Sequence, residues 1–352
     1  MRSFDEIFED KTKYGTKIKT SEYKEIGKYA IIDQGQEEIA GYTDLEKGVF
    51  EDVPAIIFGD HTRVIKYVRD PFFLGADGVK ILKCKELNVN YKYLYYALKN
   101  AKIPNTGYNR HFKWLKQIQI EYPSIDKQEK IVKILDKVVM VIEDRRKEIQ
   151  ELDKLIKARF VEMFGDEKNS KDWTIVHIED VADVQVGVVI KPSQYYTDEN
   201  NGIRAFRSLN VGEGFIKDSD WVYFTIEGHR KNSKSILKEN DLLIVRSGAP
   251  GTACVVNKDY VGCNAIDIII VHPDCEKVNP YYLCTFTNMP HGKKQIVKGT
   301  GGAAQQHFNV GKYNKMHLML PPKELQDEFV KFLEQVNKSK VVVFNPIYYY
   351  NK

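Results

Sequence analysis

A strand-like run, a proline and an opening helix occur twice in this chain, and that duplication limits it to folds built from two copies of one unit. The first copy, HFKWLKQIQIEYPSIDKQEKIVKIL, spans His111 to Leu135, and a looser one, HFNVGKYNKMHLMLPPKELQDEFVKFL, spans His307 to Leu333. The match extends in both directions, each at one offset. Upstream, Val89, Asn90, Tyr93 and Leu94 recur as Val278, Asn279, Tyr282 and Leu283, and downstream Gln128, Val132, Lys133 and Leu135 recur as Gln326, Val330, Lys331 and Leu333. A length of 352 residues suits two domains, and 43% apolar residues can fill their cores.

Each half repeats one order of elements. In the first, YAIIDQG, VPAIIFGD, RVIKYVRD and VKILKC are short β-branched and aromatic runs set apart by Gly, Asp and Asn, and NYKYLYYALKNA reads as a short helix. In the second, DVADVQVGVVI, DLLIVRSG, ACVVN and AIDIIIVH precede VNPYYLCTFTNM. The fold class expected is therefore mixed α/β (α+β), with two tandem domains each followed by a helix. The boundaries are read as residues 1–123 for the first domain, 124–164 for a long helix, 165–321 for the second domain and 322–352 for a shortened helix and tail.

The long helix has clear ends, with Ser124 or Asp126 as N-cap, Gln128 or Glu129 in the first turn and Gly165 as the stop. Its apolar positions Ile131, Leu135, Val138, Ile142, Ile149, Leu152 and Ile156, with Arg145 among them, follow a 4-3 spacing, the 3.5-residue repeat of a coiled coil. From Asp126 to Met163 it should be about 57 Å long. Acids and bases interleave along it, which fits a solvated coiled-coil flank better than a basic arm on DNA. The second helical pattern begins at Pro322 and fades near Ser339 into the β-prone KVVVFNPIYYYNK, giving a helix of roughly 17 residues that could cover about half of the first. If the two helices pack antiparallel, the two domains are related by a pseudo-twofold axis, the symmetry of B-DNA, and would meet two half-sites across an unread spacer.

Chemistry finds few footholds. Asn345 to Tyr348, NPIY, approximates the loop with which amino-methyltransferases hold an exocyclic amine, but the second proline is missing and no Gly-rich cofactor loop precedes it. Eight histidines show no HxxxH or HExxH spacing, and no GxSxG occurs. Five cysteines, Cys84, Cys254, Cys263, Cys275 and Cys284, form no CxxC pair; they suit a reducing compartment, disfavour a zinc site and read as small core residues. No metal or other cofactor is expected. The start, MRSFDEIFEDKTKYG, lacks the apolar core of a signal peptide, and no run approaches a membrane span, so a cytoplasmic location is expected. A net charge of +4 permits a nucleic-acid partner without demanding one.

Several loops carry side chains that can read bases. Asp60, His61, Thr62 and Arg63 lie between two strands, and Arg246 and Ser247 occupy the corresponding place in the second half. Asp33 to Gln36, with Gln34 and Gln36, is matched by Arg204 to Asn210, with Arg204 and Arg207, and Tyr108, Asn109 and Arg110 sit just ahead of the first repeated motif. Arg pairs with guanine, Gln and Asn with adenine, and Ser or Thr with either base or a phosphate. Plain hairpin turns, or an isolated His61–Asp60 pair, explain the same residues. The stretch VKGTGGAAQQHFN, Val297 to Asn309, fits no nucleotide-binding loop; Gln305 and Gln306 are base readers there, or solvated amides of a flexible turn. Lys17, Lys191 and Arg204 are candidate phosphate contacts.

Nearly the whole chain resembles the specificity (S) subunit of type I restriction-modification systems. KYAIIDQGQEEIAGYTD, IIFGDHTRVIKYVRDPFFLGADGVKIL, YPSIDKQEKIVKILD and EIQELDKLIKARFVEMFGD are similar to recurrent family segments, as is the order domain, helix, domain, helix. The resemblance implies two target-recognition domains that each read half of a bipartite DNA sequence, and an antiparallel coiled coil. It further implies two modification (methyltransferase) subunits alongside and restriction subunits joined through the complex, with the chain itself non-catalytic. The family's second helix is usually about as long as the first, so the short second pattern here is a departure. A stand-alone DNA methyltransferase and a protein-binding coiled-coil scaffold are the competing classes.

Overall fold

The computed structural model describes residues 1–75, 78–107, 109–299 and 308–350, with the side chains of 299 and 341–350 outside the description. Two units, Met1–Glu143 and Asp144–Lys352, divide the chain within the long helix.

In the first unit the apolar run Ala55–Gly59 is buried along its whole length, because it is one of two inner strands of a sheet covered on both faces. That antiparallel sheet has the order Phe8–Asp10, Val79–Cys84, Ala55–Gly59, Ile65–Val68. Strand alternation sends Ile56 and Phe58 to one side, where Leu94 and Leu98 of the Tyr91–Lys99 helix meet them. Ile57 and Ile81 face the other way, toward Ile32, Phe72 and Leu74 of a second sheet. In that sheet Tyr29–Ile32 pairs antiparallel with Gly41–Thr43 and parallel with Phe72–Leu74.

The second unit repeats the plan. Its inner strand, Leu242–Val245, lies between Ile268–Pro273 and Ala253–Val255, with Ala182–Val186 at the edge. Leu242 and Ile244 join the helix-side core, which contains Tyr282 and Leu283, whereas Leu243 and Val245 join a core with Phe206. Ile203–Phe206 again has one antiparallel neighbour, Val222–Phe224, and one parallel neighbour, Asn264–Ala265. Each unit also closes with a short antiparallel pair, Arg2–Ser3 with Gln119–Ile120 and Thr174–His177 with His317–Leu320. The duplication expected from offsets is thus a duplication of topology.

The first long helix runs Ile125–Phe164, 40 residues, or about 60 Å. Ser124 supplies the carbonyl that accepts from the Lys127 and Gln128 amides, at 3.0 Å each. Gly165 ends the helix with φ +86, the left-handed conformation that glycine adopts without penalty. The second long helix runs Lys323–Tyr350, 28 residues, about 42 Å. It therefore continues past Ser339, beyond the end that the sequence pattern predicts, and corrects the 17-residue expectation. Val and Tyr cost a helix only a few tenths of a kcal/mol each relative to good formers, so β propensity alone does not stop one already nucleated by packing, whereas Pro346 in the same stretch costs about 3 kcal/mol.

Within the second unit the two helices pack antiparallel. Arg159 pairs with Glu328 at 3.3 Å, and six residues earlier Asp153 pairs with Lys340 at 2.5 Å. Ile156, Phe160, Met163 and Phe164 share a core with Phe329, Val330, Leu333 and Val336. Phe160 and Phe329 meet edge to face at 5.4 Å. Leu152 packs on this core and Ile149 is half-buried, so the carboxyl-terminal part of the expected seam is covered. Phe160 and Met163 carry the buried face beyond the positions picked from sequence, with two steps of four in succession, Leu152 to Ile156 to Phe160, in place of strict 4-3 alternation. At the other end Ile131 packs on the core of the first unit and Ile142 is buried, while Leu135 is half-buried and Val138 exposed. Arg145 is exposed and pairs with Glu148 at 2.6 Å, so it leans outward. Four cysteines are buried; Cys275 is exposed and is no core residue, because it follows the strand end at Pro273.

Candidate nucleic-acid interface

Several candidate reading residues, Gln34, His61, Thr62, Arg63, Arg246 and Ser247 among them, sit in loops at strand ends, whereas Arg204 lies within the strand Ile203–Phe206. In the first unit two loops separated in sequence come together: the His61 amide donates to Gln34 Oε1 at 3.2 Å, and the Thr62 hydroxyl donates to the Gln34 carbonyl at 2.7 Å. Arg63, with φ 62, turns its guanidinium onto the Ile103 carbonyl at 3.2 Å. Buried Asp60 accepts from the Phe112 amide at 2.7 Å, and its carbonyl accepts from the His111 amide at 2.8 Å and from His111 Nδ1 at 3.0 Å. Those bonds tie the loop to the HF pair that opens the first repeated motif.

The second unit makes the same tie with different chemistry. Arg246 donates through Nε to the Phe308 carbonyl at 3.1 Å and through Nη1 to Asp267 at 2.5 Å. The Phe308 amide returns a bond to the Arg246 carbonyl at 3.2 Å. Phe308 is the second residue of the copied HF pair, so Asp60 and Arg246 both anchor a loop to the same point of the repeat. Their side chains are committed inward.

Other candidates face solvent. Gln36, Asn109 and Arg110 are exposed, with the Asn109 amide also reaching the Thr106 carbonyl. Lys17 is exposed at a recess of about 710 Å³ that it shares with Asp10, Thr12, Lys13, Gly15 and Lys80. Burial would raise the Asp10 carboxyl, but hydrogen bonds from Thr12 and Lys80 outweigh it and hold the group below its usual range. Exposed Lys191 adopts a left-handed φ of 43 beside exposed Ile190. Arg204 lies 3.8 Å from Asp218 and 5.5 Å from the centre of the Trp221 ring. Arg207 is half-buried and donates to the Asp220 carbonyl, and Ser247 is half-buried. Tyr108, Gln305 and Gln306 lie outside the described residues.

Sequence reasoning missed Lys66. It is buried, about 1% exposed, with Nζ 3.4 Å from Asp33 Oδ1 and 2.5 Å from the Glu37 carbonyl. Its signal is a lysine inside the strand Ile65–Val68, whose other residues are apolar or aromatic. Also unread was the purpose of the recurring glutamines. Gln128 and Gln326 are both buried, each accepting from the amide of a helix N-cap, Asn90 at 3.0 Å and Asn279 at 2.7 Å. Each donates to a proline carbonyl at 2.9 Å, Pro123 or Pro321. Tyr93 and Tyr282 repeat the tie, donating to the Glu121 and Met319 carbonyls at 2.8 and 2.7 Å.

Among the described residues no group of three or more His, Cys, Asp or Glu side chains is arranged to hold a metal, and no helix is long and apolar enough to cross a membrane. Two copies of a helix–sheet–sheet domain, each clamped to a long helix and each carrying polar loops at the sheet ends, define a duplicated, loop-presenting chain of mixed α/β class. The model of the type I restriction modification DNA specificity domain matches residues 1–154 and again 170–341, and the chain belongs to that family.

Among curated proteins it is 26% identical over 197 residues to the type I restriction enzyme MjaVIII specificity subunit of Methanocaldococcus jannaschii, covering 49% of this chain and 46% of that protein. It is 21% identical over 166 residues to the EcoBI specificity subunit of Escherichia coli, covering 47% and 35%. The chain thus matches less than half of the length of these two relatives. The S subunit structure from M. genitalium aligns over 98% of this chain and 94% of its own at 15% identity and a TM-score of 0.51. A chain from a solved type I restriction-modification system aligns over 97% and 89% at 14% identity and a TM-score of 0.53. At these identities the likeness is one of fold.

Proposed function

We propose that this chain is the sequence-reading subunit of a type I restriction-modification complex, with residues 1–123 and 165–321 each reading one half of a bipartite duplex target. The observation that carries the reading is the duplication itself. One topology and one glutamine clamp occur twice, while the loops they support carry different polar residues, as two readers of different half-sites require. Lys17, Arg110, Lys191 and Arg204 are assigned to phosphate contacts, and Gln36, Asn109 and Ser247 to base edges, the first two because their side chains face solvent. The chain performs no chemistry; two methyltransferase subunits and, through them, restriction subunits act on the DNA that it selects, in the cytoplasm. The pairing of the long helices supports a scaffold role alongside reading.

Footprinting of the assembled complex tests this. Two protected patches with a fixed unprotected spacer are expected, and a single continuous footprint or none would overturn it. Calorimetry of the purified chain with S-adenosylmethionine should give no binding heat; binding would favour a stand-alone methyltransferase.

A further inference from the structure

We propose that Lys66 is a positioning residue for base recognition, acting from inside the first domain to fix the loop 33–37 and thereby aim Gln36. The inference rests on the DNA-reading role above. Lys66 pairs in register with Ile57 of the inner strand, so its side chain stands on the same face as Ile57, the face covered by the second sheet. An apolar residue belongs at such a position. The duplicate shows as much: there Leu243 pairs with Cys254, which is fully buried and contributes to the matching core. The fold therefore does not need an amine at this place, and a lysine there breaks the local pattern in the way that functional requirements do.

Among the described residues, the Lys66 ammonium bonds to one loop. It reaches Asp33, the first residue after the strand Tyr29–Ile32, and the carbonyl of Glu37 four residues on, thus bridging both ends of the Asp33–Glu37 segment. Asp33 Oδ1 also accepts from the Gly35 amide at 2.8 Å, and Gln34 is lodged against His61 and Thr62. Gly35 lies close over the Asp33 carboxylate, where an added Cβ would come within 3.0 Å of Oδ1. Between these fixed points Gln36 is the side chain left exposed. A bidentate amide contact to adenine needs that side chain held in one place before DNA arrives, because a base reader that must be ordered on binding discriminates less.

The test is selection of sequences from a randomised duplex library by the assembled complex, comparing the native chain with Lys66→Met, Lys66→Arg and Gln36→Ala. The native chain should enrich two blocks at a fixed gap. Lys66→Met should weaken base preference about tenfold at one or two positions of one block and leave the other block intact. Lys66→Arg, which keeps a buried donor, should restore most of the preference. Gln36→Ala sits on the surface and should relax the same positions; it decides the matter should Lys66→Met fail to fold. Unchanged preference in Gln36→Ala, or equal weakening of both blocks in a folded Lys66→Met, would overturn the proposal. A native chain that enriches no sequence would instead overturn the reading role itself.

Discussion

Gln128 bridges Asn90 and Pro123: its buried side chain accepts from the Asn90 amide and donates to the proline carbonyl, joining the start of one helix to the start of another. The Asn90 side chain meanwhile caps its own helix, accepting from the Lys92 and Tyr93 amides at 3.0 and 3.1 Å. Gln128→Leu would leave an amide and a carbonyl without partners in a dry site, and each orphaned group costs about 1–3 kcal/mol. A loss of roughly 2–4 kcal/mol in denaturant unfolding is expected, and the same from Gln326→Leu. No change in either variant would mean that water replaces the amide freely.

Acid should loosen the same joints. Burial opposes ionisation of Asp136, but hydrogen bonds from Lys92 and Tyr96, both at 2.7 Å, prevail and hold its carboxyl below the usual carboxylate range. Burial likewise opposes ionisation of Asp327, where Lys323 and Asn279 prevail. The folded-state pKa of each lies below its unfolded value near 4, so the stabilisation is complete above about pH 5 and fades as pH falls through the folded value. Melting curves of Asp136→Asn should decline less steeply below about pH 4 than those of the native chain.

Arg246 and Arg110 should behave as opposites. Arg246→Met removes an ion pair between a mostly buried guanidinium and part-exposed Asp267, and a bond to the Phe308 carbonyl, so a stability loss of about 1–3 kcal/mol is expected by chemical denaturation. Arg110→Ala, at an exposed position, should leave unfolding within about 0.5 kcal/mol of the native chain. It should instead lower the salt dependence of DNA binding by the complex, by about one unit of logarithmic slope.

Phe160→Ala should cost about 3–5 kcal/mol, because its ring touches Phe164, Tyr282 and Phe329 at the meeting of both helices and the second core. Lys340→Ala, whose partner Asp153 is half exposed, should cost less than about 1 kcal/mol. Calorimetric melting of both variants would distinguish an apolar helix contact from one held by charge.

The sequence made the repeat legible because constant offsets survive divergence, and the inner strands legible because fully buried runs are apolar throughout. Helix ends at Ser124 and Gly165 were legible from capping chemistry. Three things were not. The strand pair Ile203–Phe206 and Val222–Phe224 is too short and too interrupted to show alternation. The second long helix continues through VVVF, where β propensity points the wrong way. Most of all, Asp60, Arg63 and Arg246 look like base readers in a loop, and nothing local says that their hydrogen bonds go inward to Phe112, Ile103 and Phe308. Lys66 is hidden for the converse reason, since a lysine within a strand gives no local sign of what lies beyond the sheet.

Of the bonds that fasten each domain to its helix, the glutamine's are made by an amide, which neither titrates nor attracts counterions, unlike the Asp136–Lys92 and Asp327–Lys323 pairs beside them. Ionic strength will therefore act on this protein at its exposed cations and ion pairs, while the glutamine bonds of the two joints hold alike in dilute and concentrated salt. Grip and alignment are in this way governed by different physical variables.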